Sequence, residues 1–546
     1  MLSKIKNSKF LILALFLAAI LRLWLLGNVP PHLTPDEASL GYNAYSILKT
    51  GKDEYGQFLP FVFKSFGDYK PGLYVYLTIP SIMVFGLTEF GVRFPSALAG
   101  ILSVFLLYLI VKKLFDEKVA LVSAFVLAVT PWTIYFSRGA WEANVALALT
   151  LSGIYFFLKS LEKSKFIVPS SVFFALTLLT YQGAKLATGI VVIILACLYW
   201  RKIIRFPKVH LLSAIFVGLV ISLPIFVSLF RGQTGRLTVF SIFSYPRSQE
   251  SLSAFLGQGG EKKGDPSYYL FHTETLNFAR GVLGRWFNHF TGKFLFFDGD
   301  WSNPRHSAPY QGMLLLSDFI LIILGFVALV RKGLNKNTAF VWLWLILSPL
   351  PAALSRNEVH SIRAMNMVIP MVIILSFGLQ RILSSKYFKF AYLVVFLLSF
   401  AYFLDAYFIH LPIHQAKLWG YGYKQIVKEI TPIQKNYQKI VVQQSFAQPY
   451  IYFLFYQKYD PGKYQKQAVL SESEFKGDVG YVNKLDNIEF TIINWTLFRG
   501  DSGTLFAADP ETIPPKDSSD PNLFREIADI KYPDGIYTAF RVLEVK

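Results

Sequence analysis

The sequence predicts an α-helical polytopic membrane protein that carries a small α/β domain at its C-terminal end. Three observations predict this fold class. Of the 546 residues, 53% are hydrophobic and only 16% are charged, which is too apolar for one soluble core of this length. Apolar runs of membrane-spanning length recur up to residue 410, with short basic loops between many of them. Beyond that point, strand-like runs alternate with turns.

The formal net charge of +19 bears on possible partners. In a soluble domain it would suggest nucleic acid, but here Lys and Arg concentrate in short loops between apolar runs, where orientation in the membrane explains them. Nucleic acid is therefore not an expected partner. The single cysteine, Cys197, lies inside an apolar run, so the sequence offers neither a disulfide framework nor a cysteine-based metal site.

The first apolar run, residues 10–26, sets the orientation of the chain. Lys4, Lys6 and Lys9 precede it, as basic residues precede the apolar core of a signal peptide. No small-residue cleavage site follows and Arg22 interrupts the run, so we expect a retained first span with a cytoplasmic N-terminus.

Whether the segment 70–86 crosses the membrane determines on which side every later loop lies. Its fifteen or so apolar residues would reach about 22 Å as a helix, less than a hydrocarbon core of about 30 Å, and Pro80 interrupts them. We predict an interfacial helix rather than a span. Five basic clusters then all face the cytoplasm, as the positive-inside rule requires; they are Lys112/Lys113/Lys118, Lys159/Lys163/Lys165, Arg201/Lys202/Arg205/Lys208, Arg331/Lys332/Lys336 and Arg381/Lys386/Lys389.

About eleven spans result from this assignment. They lie near residues 10–27, 95–112, 119–136, 144–159, 166–180, 187–200, 210–230, 312–330, 339–355, 365–380 and 390–410. The predicted membrane module comprises residues 1–410 and has two external loops, 28–94 and 231–311. The α/β domain comprises residues 411–546 and is predicted to lie on the extracytoplasmic side of the cell membrane. Its strand-like runs are "KIVVQQSF", "EFTIINWTLF" and "IYTAFRVLEV".

The stretch "LTPDEASLGYNAYSILKTG", residues 33–51, begins a helix just outside the first span. Thr34, Pro35 and Glu37 fit the N-cap, the first position and the third position, so Thr34 and Glu37 form a capping box, and Gly51 ends the helix. Capping and a chemical role explain Glu37 equally well. Asp36 is better explained as a general base, because the helix dipole keeps a carboxylate at the second position ionised.

Other charged residues gather on the same predicted face. They are Asp68 and Lys70 in "GDYKPGLY", Arg93, Arg138 and Glu142 in "SRGAWEAN", Lys185, and His360 and Arg363 in "SRNEVHSIRAMN". Carboxylates and cations at span ends predict a site for an anionic, phosphate-bearing substrate that reaches the protein from the bilayer. The alternative for Arg93 and Lys185 is an interfacial, snorkelling side chain, and Glu142 could instead cap a helix or pair with Arg138.

These motifs, in this order and sidedness, resemble the GT-C glycosyltransferases. The acidic pair after the first span, the Lys-Pro motif before the interfacial helix, "GLTEFGVRFPSALAG" and the later "SR...E" turn carry the resemblance. It is closest to bacterial members related to protein O-mannosyltransferases and to the aminoarabinose transferases that modify lipid A. It is firmest over residues 10–200 and absent from the tail.

The resemblance implies a polyprenyl-phosphate monosaccharide as donor. It implies that Asp36 is the catalytic base, that Glu37 matches the second acidic position, and that Lys70 lies near the donor phosphate. Arg138 and Glu142 match the charged turn of the second external loop. The chain departs from the family where two prolines often follow the Lys or His: here Pro71 and Gly72 follow Lys70, and the acid is displaced to Asp68.

The chemistry of such a donor explains these residue types. The enzyme must deprotonate the acceptor hydroxyl and neutralise the departing phosphate, so Asp36 suits the first task and Lys70, Arg138, His360 and Arg363 suit the second. One base predicts direct, inverting displacement without a required cofactor. A divalent cation held by Asp36, Asp68 or Glu142 is the alternative way to neutralise the phosphate.

The predicted function is therefore transfer of a sugar to a protein, lipid or glycan hydroxyl on the outer face of the membrane. The competing class is a transporter or lipid flippase. Such proteins usually place ionisable residues near the bilayer midplane. Here the predicted span centres are nearly free of charge, which favours the enzyme.

Overall fold

The computed structural model describes residues 2–233, 237–444, 448–471 and 479–546, and it divides into a helical part and a C-terminal sheet. The helices are α1 (Leu2–Leu23), α2 (Pro35–Thr50), α3 (Leu73–Phe85), α4 (Glu89–Leu114), α5 (Glu117–Val129), α6 (Pro131–Ser137), α7 (Glu142–Ser160), α8 (Ile167–Leu178), α9 (Ala184–Ile203), α10 (Lys208–Phe230), α11 (Leu237–Phe240), α12 (Gln249–Gln258), α13 (Glu274–Asn288), α14 (Asp318–Arg331), α15 (Lys336–Leu347), α16 (Leu350–Ala353), α17 (Val368–Leu383), α18 (Lys386–Asp405), α19 (Leu411–His414), α20 (Tyr423–Ile430), α21 (Tyr450–Tyr456), α22 (Pro461–Tyr464) and α23 (Trp495–Phe498). The strands are β1 (Val62–Ser65), β2 (Asp68–Pro71), β3 (Lys439–Gln443), β4 (Lys484–Leu485), β5 (Ile488–Thr491), β6 (Thr504–Ala508), β7 (Phe524–Lys531) and β8 (Thr538–Val545).

The chain is an integral membrane protein. Among the described residues, six helices are long and apolar enough to cross a membrane, and the α5–α6 pair, bent by 58°, would add a seventh. The six segments are Glu89–Leu114, Glu142–Ser160, Ala184–Ile203, Lys208–Phe230, Met365–Leu383 and Lys386–His414. Helices occupy every one of the segments predicted as spans, while the number of crossings and their orientation stay predictions.

The segment after Lys70 is a helix, as expected, and it is short. Helix α3 has 13 residues and contains Pro80 in its interior. At 1.5 Å per residue it is about 20 Å long, less than the thickness of a hydrocarbon core. Its length agrees with the prediction of an interfacial helix.

Helix α2 begins as the capping signals predict. The Thr34 hydroxyl accepts a hydrogen bond from the Glu37 amide (3.2 Å), and the Glu37 carboxylate accepts one from the Thr34 amide (2.9 Å). Gly51 ends the helix with a φ of 69°, which favours glycine. In the middle of α2, a Cβ on Gly41 would lie 2.5 Å from Val92 and 2.6 Å from Phe455, so α2 is tightly packed between α4 and α21.

A short hairpin places the next group of charged residues. Strands β1 and β2 pair antiparallel, with Ser65 opposite Asp68 and Phe63 opposite Lys70. The two turn residues, Phe66 and Gly67, have φ values of 53° and 83°, as a tight two-residue hairpin turn requires. The hairpin carries Asp68 and Lys70 toward the start of α2.

The C-terminal part is a small α/β domain, as predicted. Its six-stranded sheet has the order β4-β5-β3-β6-β8-β7, and β3 runs parallel to both β5 and β6. The predicted runs correspond to β3, β5 and β8, although the second run leaves the sheet after Thr491 and turns helical at Trp495. The last residues of "KIVVQQSF", 445 and 446, lie outside the described residues.

The sheet domain shares a hydrophobic core with the segment between α1 and α4. Side chains of α2, α3 and the start of α4 pack in one buried cluster with α20, α21 and the sheet. Hydrogen bonds reinforce this contact: the Tyr42 hydroxyl donates to Tyr459 O and the Tyr452 hydroxyl donates to Leu33 O, both at 3.1 Å. The boundary predicted at residue 410 therefore separates two parts that fold against each other.

Glu54 is buried where the first loop meets the sheet domain. Its Oε1 accepts hydrogen bonds from Asn43 Nδ2 (2.9 Å) and Ser39 Oγ (3.4 Å), and the Tyr450 hydroxyl lies 3.4 Å from Oε2. Burial raises the pKa of Glu54 from 4.5 to about 8, and the nearby Asp53 adds to the effect. The folded protein therefore holds a proton on this carboxyl at neutral pH.

We expect Glu54→Gln to stabilise the protein at neutral and mildly alkaline pH. The unfolded chain loses the Glu54 proton near pH 4.5 and the folded chain near pH 8, so this group lowers stability progressively between those values. Each pH unit above 4.5 costs about 1.4 kcal/mol of folding stability, so the loss reaches about 3 kcal/mol near pH 7, and Gln removes it. Thermal unfolding in detergent between pH 5 and pH 8 measures this gain in stability. Glu511→Gln, at a side chain 89% exposed, is the control, and equal pH slopes in the wild type and Glu54→Gln would contradict the prediction.

Candidate active site

A cavity of about 980 Å³ opens between the segment that joins α1 to α4 and the ends of several helices. Its lining comes from the start of α2, the β1–β2 hairpin, the starts of α7 and α9, and the loops before α12, α14 and α17. Seven of the charged residues singled out from the sequence line it, namely Asp36, Asp68, Lys70, Glu142, Lys185, His360 and Arg363. Glu37 and Arg138 do not.

Asp36 and Lys70 form an ion pair at the mouth of the cavity. Lys70 Nζ donates a short hydrogen bond to Asp36 Oδ1. The Asp36 side chain is 54% exposed, so it is open to an incoming ligand. Burial lowers the pKa of Lys70, but the carboxylates of Asp36, Glu142 and Asp68 outweigh burial and raise that pKa above its usual range. Lys70 therefore stays positively charged beside the Asp36 carboxylate.

Glu37 is a structural residue rather than a second cavity carboxylate. Its Oε1 accepts hydrogen bonds from Arg93 Nε and from the Ala140 amide, both at 2.9 Å. Its Oε2 accepts from the Thr34 amide and lies 3.4 Å from Arg93 Nη2. Both oxygens are thus used inside the protein, and the expectation of a catalytic Glu37 is corrected to that of a helix cap and ion-pair partner.

Arg93 holds the other half of this buried pair. Besides Glu37, it donates to Leu26 O (3.1 Å), Pro30 O (2.9 Å) and His32 O (2.6 Å). Its side chain has no exposed surface, whereas a snorkelling arginine would keep its guanidinium in water. Arg93 therefore fastens the chain between α1 and α2 to α4.

Arg138 also lies away from the cavity, contrary to the prediction that it binds a donor phosphate. Its guanidinium donates to Leu21 O (2.9 Å) and Val29 O (3.0 Å), and it lies 4.8 Å from the ring centre of Phe408. The physical reason is that the Leu21 carbonyl lies in the last turn of α1, where carbonyls lack an intrahelical partner and the helix dipole favours a cation. Arg138 is buried by this arrangement.

His360 lines the cavity as a neutral ring rather than as a cation. Burial lowers the pKa of His360 well below its usual range, and the positive charge of Arg363 lowers it further. Its backbone amide donates to His289 Nε2 at 3.1 Å, which fixes the loop before α17. A neutral ring supplies no charge to a phosphate, so the prediction that His360 neutralises one is corrected.

Arg363 lies across the ring of Phe240, with 4.6 Å between the guanidinium carbon and the ring centre. Two further arginines line the same cavity, Arg305 and Arg356, as does Lys185. Arg305 and His306 were not among the residues predicted from the sequence. They lie in the stretch "DGDWSNPRH", shortly before a predicted span, where the pattern of charged and histidine residues is comparable to that of the Arg363 loop.

Four cavity residues have a buried polar atom without a hydrogen-bond partner in the described part of the chain. The atoms are Trp141 Nε1, Gln182 Oε1, His360 Nδ1 and Arg363 Nη1. Leaving such an atom unpaired costs about 1–3 kcal/mol, and native proteins seldom do so without a reason. The set includes donors and an acceptor, which suits a ligand that carries both hydroxyl and anionic oxygens.

Part of the chain is similar in sequence to known proteins. Residues 69–227 match the family described as dolichyl-phosphate-mannose-protein mannosyltransferase. The chain is 28% identical over 178 residues to YkcB of Bacillus subtilis (strain 168), a provisionally named mannosyltransferase, and 32% identical over 98 residues to YycA, named in the same way. The first match covers 32% of this chain and 24% of YkcB, and the second covers 18% of this chain and 14% of YycA.

Solved structures show likeness over nearly the whole chain. ArnT from Cupriavidus metallidurans in the apo state superimposes with a TM-score of 0.53 at 14% identity, covering 98% of this chain and 97% of ArnT. The same enzyme bound to undecaprenyl phosphate gives a TM-score of 0.53 at 12% identity, covering 98% of both chains. The chain therefore has the fold of ArnT over nearly its whole length.

Proposed function

We propose that this protein is a glycosyltransferase that moves a monosaccharide from a polyprenyl-phosphate donor to a hydroxyl acceptor on the outer face of the membrane. The observation that carries the proposal is the cavity itself, in which an exposed carboxylate, Asp36, shares one space with Arg305, Arg356 and Arg363. The matched mannosyltransferase family and the ArnT complex with undecaprenyl phosphate support the donor class.

Asp36 is the proposed general base. As the acceptor oxygen attacks the anomeric carbon, its proton passes to Asp36 Oδ, and the bond between that carbon and the phosphate oxygen breaks. The polyprenyl phosphate leaves with the electron pair of that bond. Attack from the side opposite the phosphate inverts the anomeric centre, and no second carboxylate is needed as a nucleophile. The acceptor is a protein, lipid or glycan hydroxyl.

The cations of the cavity are proposed to stabilise the leaving phosphate. Arg363 Nη1 has no hydrogen-bond partner in the described part of the chain, and the charge of Lys70 lies directly beside Asp36. Such preorganised charge lowers the barrier because it is in place before the phosphate becomes more negative. Asp68 and Glu142 lie in the same lining, where they support the charge of Lys70. A divalent cation on these carboxylates remains the alternative means of neutralisation.

The position of the cavity favours a transferase over the competing transporter or flippase. Its charged lining residues come from helix starts and loops rather than from the middle of spanning helices. A transport pathway normally places such residues at the bilayer midplane. A lipid-linked donor presents its headgroup at the membrane surface, where charged residues at helix starts and in loops can contact it.

We expect Arg363→Ala to weaken binding of a polyprenyl phosphate by about 1.5–3 kcal/mol, or roughly 10- to 100-fold, the worth of a hydrogen bond to a charged group. Arg363→Lys should recover part of the loss, because Lys supplies the charge without the two-pronged donor geometry. Titration of undecaprenyl phosphate into the purified protein measures the affinity. Arg247→Ala is the matched control, since Arg247 pairs with Glu274 outside the cavity. Unchanged affinity in Arg363→Ala would remove this residue from the site.

A further inference from the structure

We infer that Asp300, His306 and His360 bind a divalent transition-metal ion of the Zn²⁺ class in the wall of the cavity. The three side chains are buried, and each offers one ligand atom within 4.8 Å of the others. They come from two loops, one before α14 and one before α17. The site is separate from the carboxylates Asp36, Asp68 and Glu142 and does not depend on the proposed transferase function.

Asp300 is already oriented for such a role. Its Oδ1 accepts hydrogen bonds from the Asn303 amide and from Asn303 Nδ2, both at 3.0 Å, and its Oδ2 accepts two from Ser361 at 2.7 Å. His306 Nδ1 lies 3.2 Å from Asp300 Oδ2. Two ligand atoms on a tetrahedral Zn²⁺ at about 2.0–2.1 Å lie about 3.4 Å from each other, so this spacing fits a shared ion.

His360 supplies an independent observation. Its ring centre is 5.3 Å from that of His306, and its Nδ1 has no hydrogen-bond partner among the described residues although the side chain is only 8% exposed. A buried imidazole nitrogen in this situation has lost water without gaining a substitute. A metal ion would take its lone pair. His289, which also lies nearby, already accepts the His360 amide through its Nε2.

The ligand set selects the class of metal. Two imidazoles and one carboxylate suit Zn²⁺, Co²⁺ or Ni²⁺, whereas Mg²⁺ and Ca²⁺ prefer oxygen ligands alone. His306 and His360 both line the cavity, so a fourth coordination position would face it. An anionic oxygen of a cavity ligand could occupy that position, as substrate oxygens do in open zinc sites.

Metal binding to the full-length protein in detergent tests the inference. After removal of metal with a chelator, the protein should take up one Zn²⁺ per chain at submicromolar affinity in competition with a chromophoric chelator, and Mg²⁺ should not displace it. Co²⁺ should give the visible absorption of a low-coordinate site. His306→Ala and His360→Gln should each weaken Zn²⁺ binding by at least about 100-fold, since loss of an outer-shell partner alone commonly costs about 10- to 100-fold.

The chain offers a matched control in a second histidine pair. His410 and His414 are exposed, with 3.2 Å between their ring nitrogens, and could hold adventitious metal. The double variant His410→Ala/His414→Ala should keep the stoichiometric site. Zinc-edge X-ray absorption of that variant should report two imidazole ligands, which gives a result even if the cavity variants do not fold. Absence of stoichiometric binding, or its loss only in the 410/414 variant, would overturn the inference.

Discussion

Asp36→Asn should lower the rate of sugar transfer by about 10²- to 10⁴-fold while the protein still folds and still binds its donor. Asn is nearly isosteric and keeps much of the hydrogen bonding at the helix start, but it cannot accept the acceptor proton. The loss should fall on turnover rather than on donor affinity. Because Asp36 is about half exposed, its neutralisation should cost little stability: a dipole interaction of roughly 0.3–1 kcal/mol and the ion pair with Lys70, worth about 0–1 kcal/mol for a partly exposed pair.

The measurement needs the product as well as the rate. Mass spectrometry of glycans and lipids from cells with and without the protein identifies the transferred sugar, and the same cells complemented with Asp36→Asn report residual transfer. Titration of undecaprenyl phosphate separates binding from chemistry. Transfer by Asp36→Asn at close to the wild-type rate would remove Asp36 as the base and, with it, the main support for the proposed transferase.

Glu37→Gln, one residue away, should instead destabilise the protein by about 3–5 kcal/mol. Gln can still complete the capping box, but it leaves the fully buried guanidinium of Arg93 without its counter-charge. The free energy of unfolding or the thermal midpoint in detergent measures the effect. A lower yield of folded protein should accompany it.

Asp36→Asn is the matched control for this second variant. The two changes remove the same charge from neighbouring positions of α2, one from a side chain 54% exposed and the other from a side chain 3% exposed. We expect activity to fall in the first and stability in the second. Equal stability of Glu37→Gln and the wild type would contradict the prediction. It would show that the carbonyls around Arg93 are enough to stabilise its positive charge without the Glu37 carboxylate.

The local features of the fold followed from the sequence because they depend on neighbours in the chain. The start and end of α2, the shortness of α3 and the change to strands after residue 410 are set by capping residues, run length and turn composition. These rules operate over a few residues. The sequence also predicted that Asp36 and Lys70 lie at one site. Asp36 is at the start of α2 and Lys70 is just before α3, and the limits of both helices were predictable.

The roles of individual charges could not be predicted in the same way. Asp36 and Glu37 are adjacent, and which of them faces the cavity depends on Arg93, 56 residues after Glu37. The position of Arg138 at the end of a predicted span could not give the depth of its side chain, which the contact with the Leu21 carbonyl at the end of α1 determines. His360 lost its expected charge through burial by distant loops.

The packing of α2 between α4 and α21 has a consequence for how the protein is made. The Tyr42 hydroxyl of α2 donates to the carbonyl of Tyr459, 417 residues later in the chain. During synthesis, the surface of α2 that packs against α21 therefore stays uncovered until most of the polypeptide has been translated. Contacts so distant in sequence form late and leave apolar surface open in the meantime. A fragment that ends before α21 would keep the helices α1 to α18 but would leave the α21-facing surface of α2 uncovered.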